Sequence, residues 1–473
     1  MTTETYSSNA VERSRLNNRL RALVTQENII TLVVALIVAG AVIVPLVVLF
    51  VSSFKVLDPL GWDTTWGFGN YVTMFTDRII PKAFVNTLII STGSTVLATG
   101  LGVSLAWINA RTNCPGRSYL EPYNLIPFFL SPFVGAIAWH NLGEPQTGLL
   151  NNWARDIFGV EGALINIDNI WGVIWVTGIF FAPLVYLFVV GSLRRMDPSL
   201  EDSARTTGAG LIRTTMTVTL PLVMPGILSG AIIVFVTSAG EFGVPFKLSA
   251  PYGWETLTTQ IFSKAVGDDA NHYLGAAMSM ALGIITVFLI WVQQRYIAPR
   301  SFTTVTGKGF RPNVLDLGPW KWVAFGYNIF FIMVAVVLPI VCLIIVSLHP
   351  VWTGKIVWAD LTTINYVKTL FWWHPEAISA ATNGIGNSLI LAFGGASIAM
   401  VLALVISYMI HRTKGFGVRM LDFLSMVPIG FPGIVLAMGV LVTYIQTPIY
   451  ATLWILMLAY ITRFFPYGQR NIS

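Results

Sequence analysis

Long apolar blocks separated by short polar loops run through almost the whole chain. Residues 30–50 form one such block, which is long enough to cross a hydrocarbon layer of roughly 30 Å. Lipid offers the backbone no hydrogen-bond partners, so blocks of this kind must be helices. The pattern predicts an all-α, polytopic bundle of about ten spans, at residues 29–53, 84–109, 120–141, 169–192, 222–245, 273–295, 322–348, 384–410, 421–445 and 449–467.

The composition excludes a water-soluble domain. Hydrophobic residues make up 55% of the 473 residues and charged residues only 11%, whereas soluble domains carry about 25% charged residues. Cys114 and Cys342 lie far apart without metal-type spacing, so we expect both to be packing residues. A polar stretch of residues 1–28 precedes the first block, which is too long for a signal peptide, so we expect no cleavable signal.

The distribution of cationic residues predicts how the chain is threaded through the membrane. Every second loop is basic, and short basic loops mark the cytoplasmic side. The N-terminal tail and the loop at 193–221 are therefore expected in the cytoplasm. The net charge of +6 resides in such loops and does not indicate nucleic acid. The basic residues that carry the pattern are Arg13, Arg15, Arg19, Arg21, Arg111, Arg117, Arg194, Arg195, Arg205, Arg213, Arg295, Arg300, Lys308, Arg311, Lys321, Arg412, Lys414 and Arg419.

The two parts of the chain resemble each other at polar and proline positions. The matches are Ser53 with Ser347, Asn70-Tyr71-Val72 with Asn365-Tyr366-Val367, Asn86 with Asn387, Arg111-Thr112 with Arg412-Thr413, Pro127 with Pro428, Trp171 with Trp454, and Pro183 with Pro466. Equivalent helices are six spans apart, so the repeat is parallel. The predicted organisation is a tail at 1–28, a first half at 29–300, a linker at 301–321, and a second half at 322–473 that is expected to end after its fourth span.

The loop at 197–221 has the features of a helix-turn-helix. Asp197 can cap a helix whose first residue is Pro198. Glu201 and Asp202 suit the first turn through the helix dipole. Gly208 permits the left-handed turn that ends such a helix, and a second short helix can follow before the next span. An element of this kind on the cytoplasmic face is suited to docking in a groove on another protein.

This loop resembles the "EAA" coupling motif of binding-protein-dependent ABC importer permeases: Glu-Ala-Ala, three residues, Gly, nine residues, Ile-x-Leu-Pro. The spacing matches throughout, with Asp for Glu, Ser for Ala and Val for Ile. The adjacent Glu201 preserves the acidic character. The residues that the resemblance assigns to coupling with an ATPase are Glu201, Asp202, Ser203, Ala204, Gly208, Val218, Leu220 and Pro221.

The resemblance extends over most of the chain. Two fused halves of six spans resemble the iron(III)-type permeases of type I ABC importers. Supporting residues are Trp139, Leu142, Pro145, Gly148, Leu150 and Asn151 after the third span, and Glu241-Phe242-Gly243-Val244-Pro245 at the end of the fifth. Ferric iron ranks first as the substrate, and permeases for polyamine, thiamine, sulfate or phosphonate share parts of the pattern.

The resemblance also implies partners. The chain contains no Gly-x-x-x-x-Gly-Lys-Ser/Thr phosphate loop, so ATP-Mg must be bound by other subunits and the chain itself is not expected to be an enzyme. The implied partners are two cytoplasmic ATPase subunits, a periplasmic or lipid-anchored solute-binding protein, and the lipids of the inner membrane. No cofactor, catalytic residue or metal ligand is predicted in this chain.

Glu241 is the one intramembrane acid that the pattern singles out. A carboxylate at membrane depth faces protein or a water-filled path, so Glu241 could line the translocation route or bond locally beside Gly243 and Pro245. An ion-coupled secondary transporter is the main alternative function, but it should carry several such acids. A polytopic membrane enzyme would need clustered His, Asp or Glu residues at a membrane face, and the sequence has no such cluster.

Overall fold

The structure is a computed structural model that describes residues 26–58, 63–267, 270–297, 314–371, 378–412 and 416–472. The N-terminal arginines, the acids at 268 and 269 and most of the predicted linker lie outside these residues. The helices are α1 Gln26–Ser53, α2 Gly69–Thr76, α3 Ile80–Arg111, α4 Arg117–Phe129, α5 Pro132–Gly143, α6 Leu149–Phe158, α7 Ile170–Arg195, α8 Pro198–Thr206, α9 Leu211–Thr214, α10 Leu220–Ala239, α11 Gly243–Leu248, α12 Leu257–Val266, α13 His272–Val292, α14 Lys321–Ile332, α15 Leu338–Ser347, α16 Ile364–Leu370, α17 Ser379–Arg412, α18 Phe416–Gly430, α19 Gly433–Tyr444 and α20 Leu453–Ile472.

The helical fold class is confirmed. Among the described residues, seven helices are long and apolar enough to cross a membrane, and two bent pairs bring the count to nine. Strands β1 Lys55–Leu57 and β2 Thr64–Trp66 form only one short antiparallel pair. The tenth predicted span corresponds to α20, which carries Arg463 and Arg470 and is less apolar than the others.

Prolines break two of the predicted spans. The third span is the pair α4 and α5, bent by 95°, and the ninth is the pair α18 and α19, bent by 108°. Pro127 and Pro132 flank the first break, and Pro428 and Pro432 flank the second. Proline removes a backbone donor and clashes with the preceding turn, which accounts for a break at each of these positions.

Three segments of π-helix occur elsewhere: Thr215–Thr219, Gln293–Ile297 and Met333–Val337. Two of them directly precede a Leu-Pro pair, at Leu220-Pro221 and Leu338-Pro339. A wider turn lets a helix continue through a residue that cannot donate its backbone N–H. The fifth span therefore starts at Thr215, before Pro221, and not at residue 222 as the sequence predicts.

The chain divides into two compact units. Among the described residues, the first comprises 26–58, 63–70, 383–412 and 416–472. In it α1 packs against α18 and α19, and its core includes Val38, Val42, Ile406, Leu421 and Phe465.

The second unit comprises the described residues between 71 and 382. In it α3 packs along α7, and α10 packs against both. Helices α14 and α15 lie against α4 and α5, where the Asn124 side chain donates to Asn328 Oδ1 over 2.8 Å. The first span of each predicted half thus packs against helices of the other half.

Residues matched in the sequence repeat make matching hydrogen bonds. The Asn70 side chain donates to the carbonyls of Ser53 (3.0 Å) and Lys55 (2.8 Å). The Asn365 side chain donates to the carbonyls of Ser347 (3.1 Å) and His349 (2.7 Å). In both places the asparagine ties a short helix to the chain that leaves the preceding span.

Candidate functional site

The loop between α7 and α10 contains the predicted helix-turn-helix, and its first helix is capped as predicted. Asp197 Oδ1 accepts a hydrogen bond of 2.9 Å from the backbone N–H of Ser199. Helix α8 begins at Pro198, where the missing N–H has no cost because the first helical donors have no partner within the helix. Asp197 therefore fixes where the helix starts after α7 ends.

Gly208 ends α8 in the left-handed conformation, with φ of +86°. The N–H of Ala209 donates to the carbonyl of Ala204 over 3.1 Å, which is the six-residue bond of a Schellman motif. A Cβ at Gly208 would meet no atom within 4 Å. Glycine is thus favoured here by the backbone angle and not by crowding within this chain.

The return path runs through α9 and the π-helical segment Thr215–Thr219 into α10. The predicted second short helix is therefore present, but it continues into the span without a break. Pro221 lies in the first turn of α10, where its ring is accommodated by the wider turn before it.

Most of the predicted coupling residues lie on the accessible side of this element. Asp202, Ser203, Gly208 and Pro221 are exposed, and Ala204, Val218 and Leu220 are partly buried. Two apolar side chains that sequence reasoning did not single out are also exposed, Leu200 at 46% and Met216 at 59%. The loop thus presents the mixed polar and apolar surface that a docking element needs.

Glu201 differs from the other predicted coupling residues because it is buried, with 3% exposure. Its Oε2 forms an ion pair with the guanidinium of Arg111, the last residue of α3, and Arg111 is itself fully buried. Its Oε1 accepts a hydrogen bond of 2.6 Å from the Thr219 hydroxyl. Successive residues point in different directions around a helix, so Asp202 faces outward while Glu201 anchors α8 to the bundle.

Sequence reasoning missed this anchor. In the sequence Arg111 stands out only as a basic loop residue and as one of the repeat matches, and Thr219 does not stand out. The available signal was the presence of two adjacent acids on one short helix, since neighbouring residues point in different directions around a helix.

Glu241 lies at the other end of α10, about 30 Å from the loop for a helix of this length. Its Oε1 accepts hydrogen bonds from the N–H groups of Gly243 (3.1 Å) and Val244 (3.4 Å), at the start of α11. Its own carbonyl accepts from the Thr258 hydroxyl over 2.8 Å. The structure thus contains the local bonding that the sequence offered as one of two roles, and it does not bring Glu241 near the coupling residues.

The described part of the chain contains no group of three or more His, Cys, Asp or Glu residues placed to hold a metal ion. His140 instead pairs with Asp168 over 2.8 Å. Both cysteines are buried free thiols.

Comparison with known families identifies residues 98–302 as matching the model of the binding-protein-dependent transport system inner membrane component. This match includes α7 to α10 and therefore the whole loop at 197–221. The predicted resemblance to the permeases of type I ABC importers is confirmed.

Known permeases are similar over longer stretches. A putative ferric transport system permease protein, FbpB 1, of Haemophilus influenzae is 23% identical over 454 residues, covering 93% of this chain and 67% of that protein. The ferric transport system permease protein FbpB of Actinobacillus pleuropneumoniae is 24% identical, covering 92% of this chain and 62% of that protein. The chain therefore spans about two thirds of the length of these curated relatives.

Other relatives differ in the solute that they carry. The molybdenum transport system permease protein ModB of Escherichia coli is 28% identical but covers only 44% of this chain. Among solved structures, a bacterial alginate ABC transporter in complex with an alginate-bound periplasmic protein aligns over 64% of this chain, with a TM-score of 0.43 and 17% identity.

Proposed function

We propose that the chain is a permease subunit of a binding-protein-dependent (type I) ABC importer and carries a small solute, ferric iron first among the candidates, into the cytoplasm. The free energy comes from ATP hydrolysed by separate subunits that dock on the loop at 197–221. A solute-binding protein outside the membrane delivers the substrate. The permease itself makes and breaks no covalent bond.

The observation that carries this proposal is the geometry of the coupling loop. Helix α8 is fixed at both ends, by the Asp197 cap and the Gly208 turn, and the buried Glu201 anchors its middle. Asp202 and Ser203 remain exposed on the opposite side. A short rigid helix of this kind can fit a groove on an ATPase and pass on its movement.

We further propose the organisation into two parallel halves, 29–300 and 322–473, joined by a linker at 301–321. The equivalent hydrogen bonds of Asn70 and Asn365 support it. So do the bent helix pairs, because α5 at 132–143 and α19 at 433–444 are related by the same shift as Pro127 and Pro428. The basic loops favour a cytoplasmic N-terminus in the inner membrane.

Ferric iron is favoured among the substrates because the similarity to ferric permeases extends over 93% of this chain, whereas similarity to the molybdenum permease covers 44%. Sulfate is a further candidate, since a sulfate permease protein of Synechocystis covers 46% of this chain. Polyamine, thiamine and phosphonate stay as alternatives from the sequence.

The substrate proposal predicts selective, ATP-dependent uptake of ferric iron. The assembled complex, with its ATPase subunits and binding protein, is placed in proteoliposomes that contain ATP. Radioactive ferric iron is expected to accumulate inside, and molybdate and sulfate are not. Liposomes without ATP are the control. Accumulation of molybdate or sulfate but not iron would contradict the choice of substrate, and ATP-independent uptake would contradict the importer itself.

Glu241 is proposed to line the pathway in addition to capping α11. Glu241→Gln keeps an oxygen that can accept from Gly243 and Val244 but removes the negative charge. We expect iron uptake to fall several-fold, because a cation loses its attraction to the route, with an unchanged yield of complex. Glu255→Gln, at the same end of the bundle, is the matched control and should keep its uptake. Full uptake by Glu241→Gln would leave Glu241 with the capping role alone.

A further inference from the structure

The last turn of α3 is joined to the coupling loop by a buried ion pair. Arg111 pairs with Glu201 of α8, and Glu201 also accepts from Thr219 in the segment that leads into α10. All three residues are at most 3% exposed. One carboxylate therefore connects the end of α3, the coupling helix and the start of the fifth span.

The backbone at the end of α3 also binds the segment that leads into the second half. The carbonyl of Arg111 accepts from the N–H of Leu315 over 2.8 Å, and the N–H of Asn113 donates to the carbonyl of Leu315 over 3.0 Å. The side-chain oxygen of Asn113 accepts from the N–H of Leu317 over 3.0 Å. The span Gly318–Ser347 begins at the following residue. Residues 111–113 thus hold the coupling helix through a side chain and the incoming chain through the backbone.

Asp316 strengthens this junction. Its carboxylate accepts from the N–H of Gly318 over 2.9 Å and from the side chain of Asn113. These two hydrogen bonds hold the pKa of Asp316 below its ordinary value, because hydrogen bonds to a carboxylate favour its charged form.

Stability alone does not explain the buried pair. Arg111 Nε and Nη1 are buried and have no hydrogen-bond partner in the described part of the chain. Burying a guanidinium whose donors are only partly satisfied is costly, and well-packed apolar pairs of similar size often stabilise a fold as well as a buried ion pair does. What an ion pair adds is a fixed geometry between the two elements that it joins.

We propose that Arg111 is a positioning residue that passes the movement of the coupling helix to residues 315–317, and so to the first span of the second half. The inference rests on the proposed function. When a docked ATPase shifts α8, Glu201 moves Arg111, and the backbone bonds of Arg111 and Asn113 move the chain before Gly318. One coupling loop would then act on spans of both halves.

The test compares two double variants in the reconstituted complex, with both ATP hydrolysis and iron uptake measured. Arg111→Met with Glu201→Leu keeps the site filled but removes the ion pair. We expect it to fold and hydrolyse ATP while uptake per ATP falls at least several-fold. Arg111→Glu combined with Glu201→Arg restores an ion pair with the charges exchanged, and we expect it to recover much of the uptake per ATP. Arg111→Glu alone and Glu201→Arg alone should both lose uptake per ATP.

Arg194→Gln is the matched control, because Arg194 forms a half-exposed ion pair of 2.7 Å with Glu121 near the same loop. Its uptake per ATP should stay unchanged. Wild-type uptake per ATP in the apolar double variant would overturn the role of Arg111 as a positioning residue. Absence of ATP-dependent uptake in the wild-type complex would instead overturn the proposed function, so the two failures are distinct.

Discussion

Gly208→Trp is expected to abolish ATP-driven uptake while leaving the permease folded and inserted. The φ of +86° at Gly208 makes any other residue strained, at a cost of about 1–2 kcal/mol. This cost is small against a total stability of roughly 5–15 kcal/mol. A Cβ would meet no atom of this chain within 4 Å, so the indole would project from the exposed end of α8. There the indole would collide with a docked ATPase, because Gly208 lies among the exposed coupling residues.

Gly208→Ala separates the effect of backbone strain from the effect of side-chain size, since alanine has the same strain at this φ but a much smaller side chain than tryptophan. We expect Gly208→Ala to keep most of its uptake and Gly208→Trp to fall to the level of liposomes without protein. The measurement is substrate-stimulated ATP hydrolysis and uptake in the assembled complex, with co-purification of the ATPase subunits as a direct readout of docking. Full stimulated ATPase activity in Gly208→Trp would remove this loop from the coupling site.

Much of this architecture could be predicted from the sequence because lipid imposes simple rules. A spanning helix must be long and apolar, and proline must disturb it. Those rules located the spans, and they explain why the third and ninth spans are broken near Pro127 and Pro428. The helix cap at Asp197 and the turn at Gly208 were also predictable, since each depends on the chemistry of one residue within its own local segment.

The anchor of the loop was not predictable in the same way. The pairing of Glu201 with Arg111 joins residues 90 positions apart, and the pairing of Asn113 with Leu317 joins residues 204 positions apart. No periodicity or spacing rule specifies such partners, because they depend on how α3, α7 and α10 pack. The motif alone assigned Glu201 to the docking surface, whereas its burial makes it an internal link.

The close packing of α3 against α7 depends on Gly102. A Cβ at this position would lie 2.7 Å from the carbonyl oxygen of Ala182 and 2.9 Å from the backbone nitrogen of Tyr186. These are backbone atoms that cannot rotate away, so a side chain would force the helices apart. Small residues at helix contacts are a main source of packing in membranes, where the hydrophobic effect between helices is absent.

Gly102→Leu is therefore expected to destabilise the permease strongly, by about 3 kcal/mol or more, since overpacking of a tight contact costs about 1–3 kcal/mol even where side chains can move. The measurement is the yield and the thermal stability of the purified protein in detergent. Gly100→Leu is the matched control on the same helix, because Gly100 is exposed and its Cβ would meet no atom within 4 Å. If both variants were equally stable, α3 and α7 could not be packed as closely as described. The junction at Arg111, which ends the same helix, would then lose the rigid support that it needs to pass movement onward.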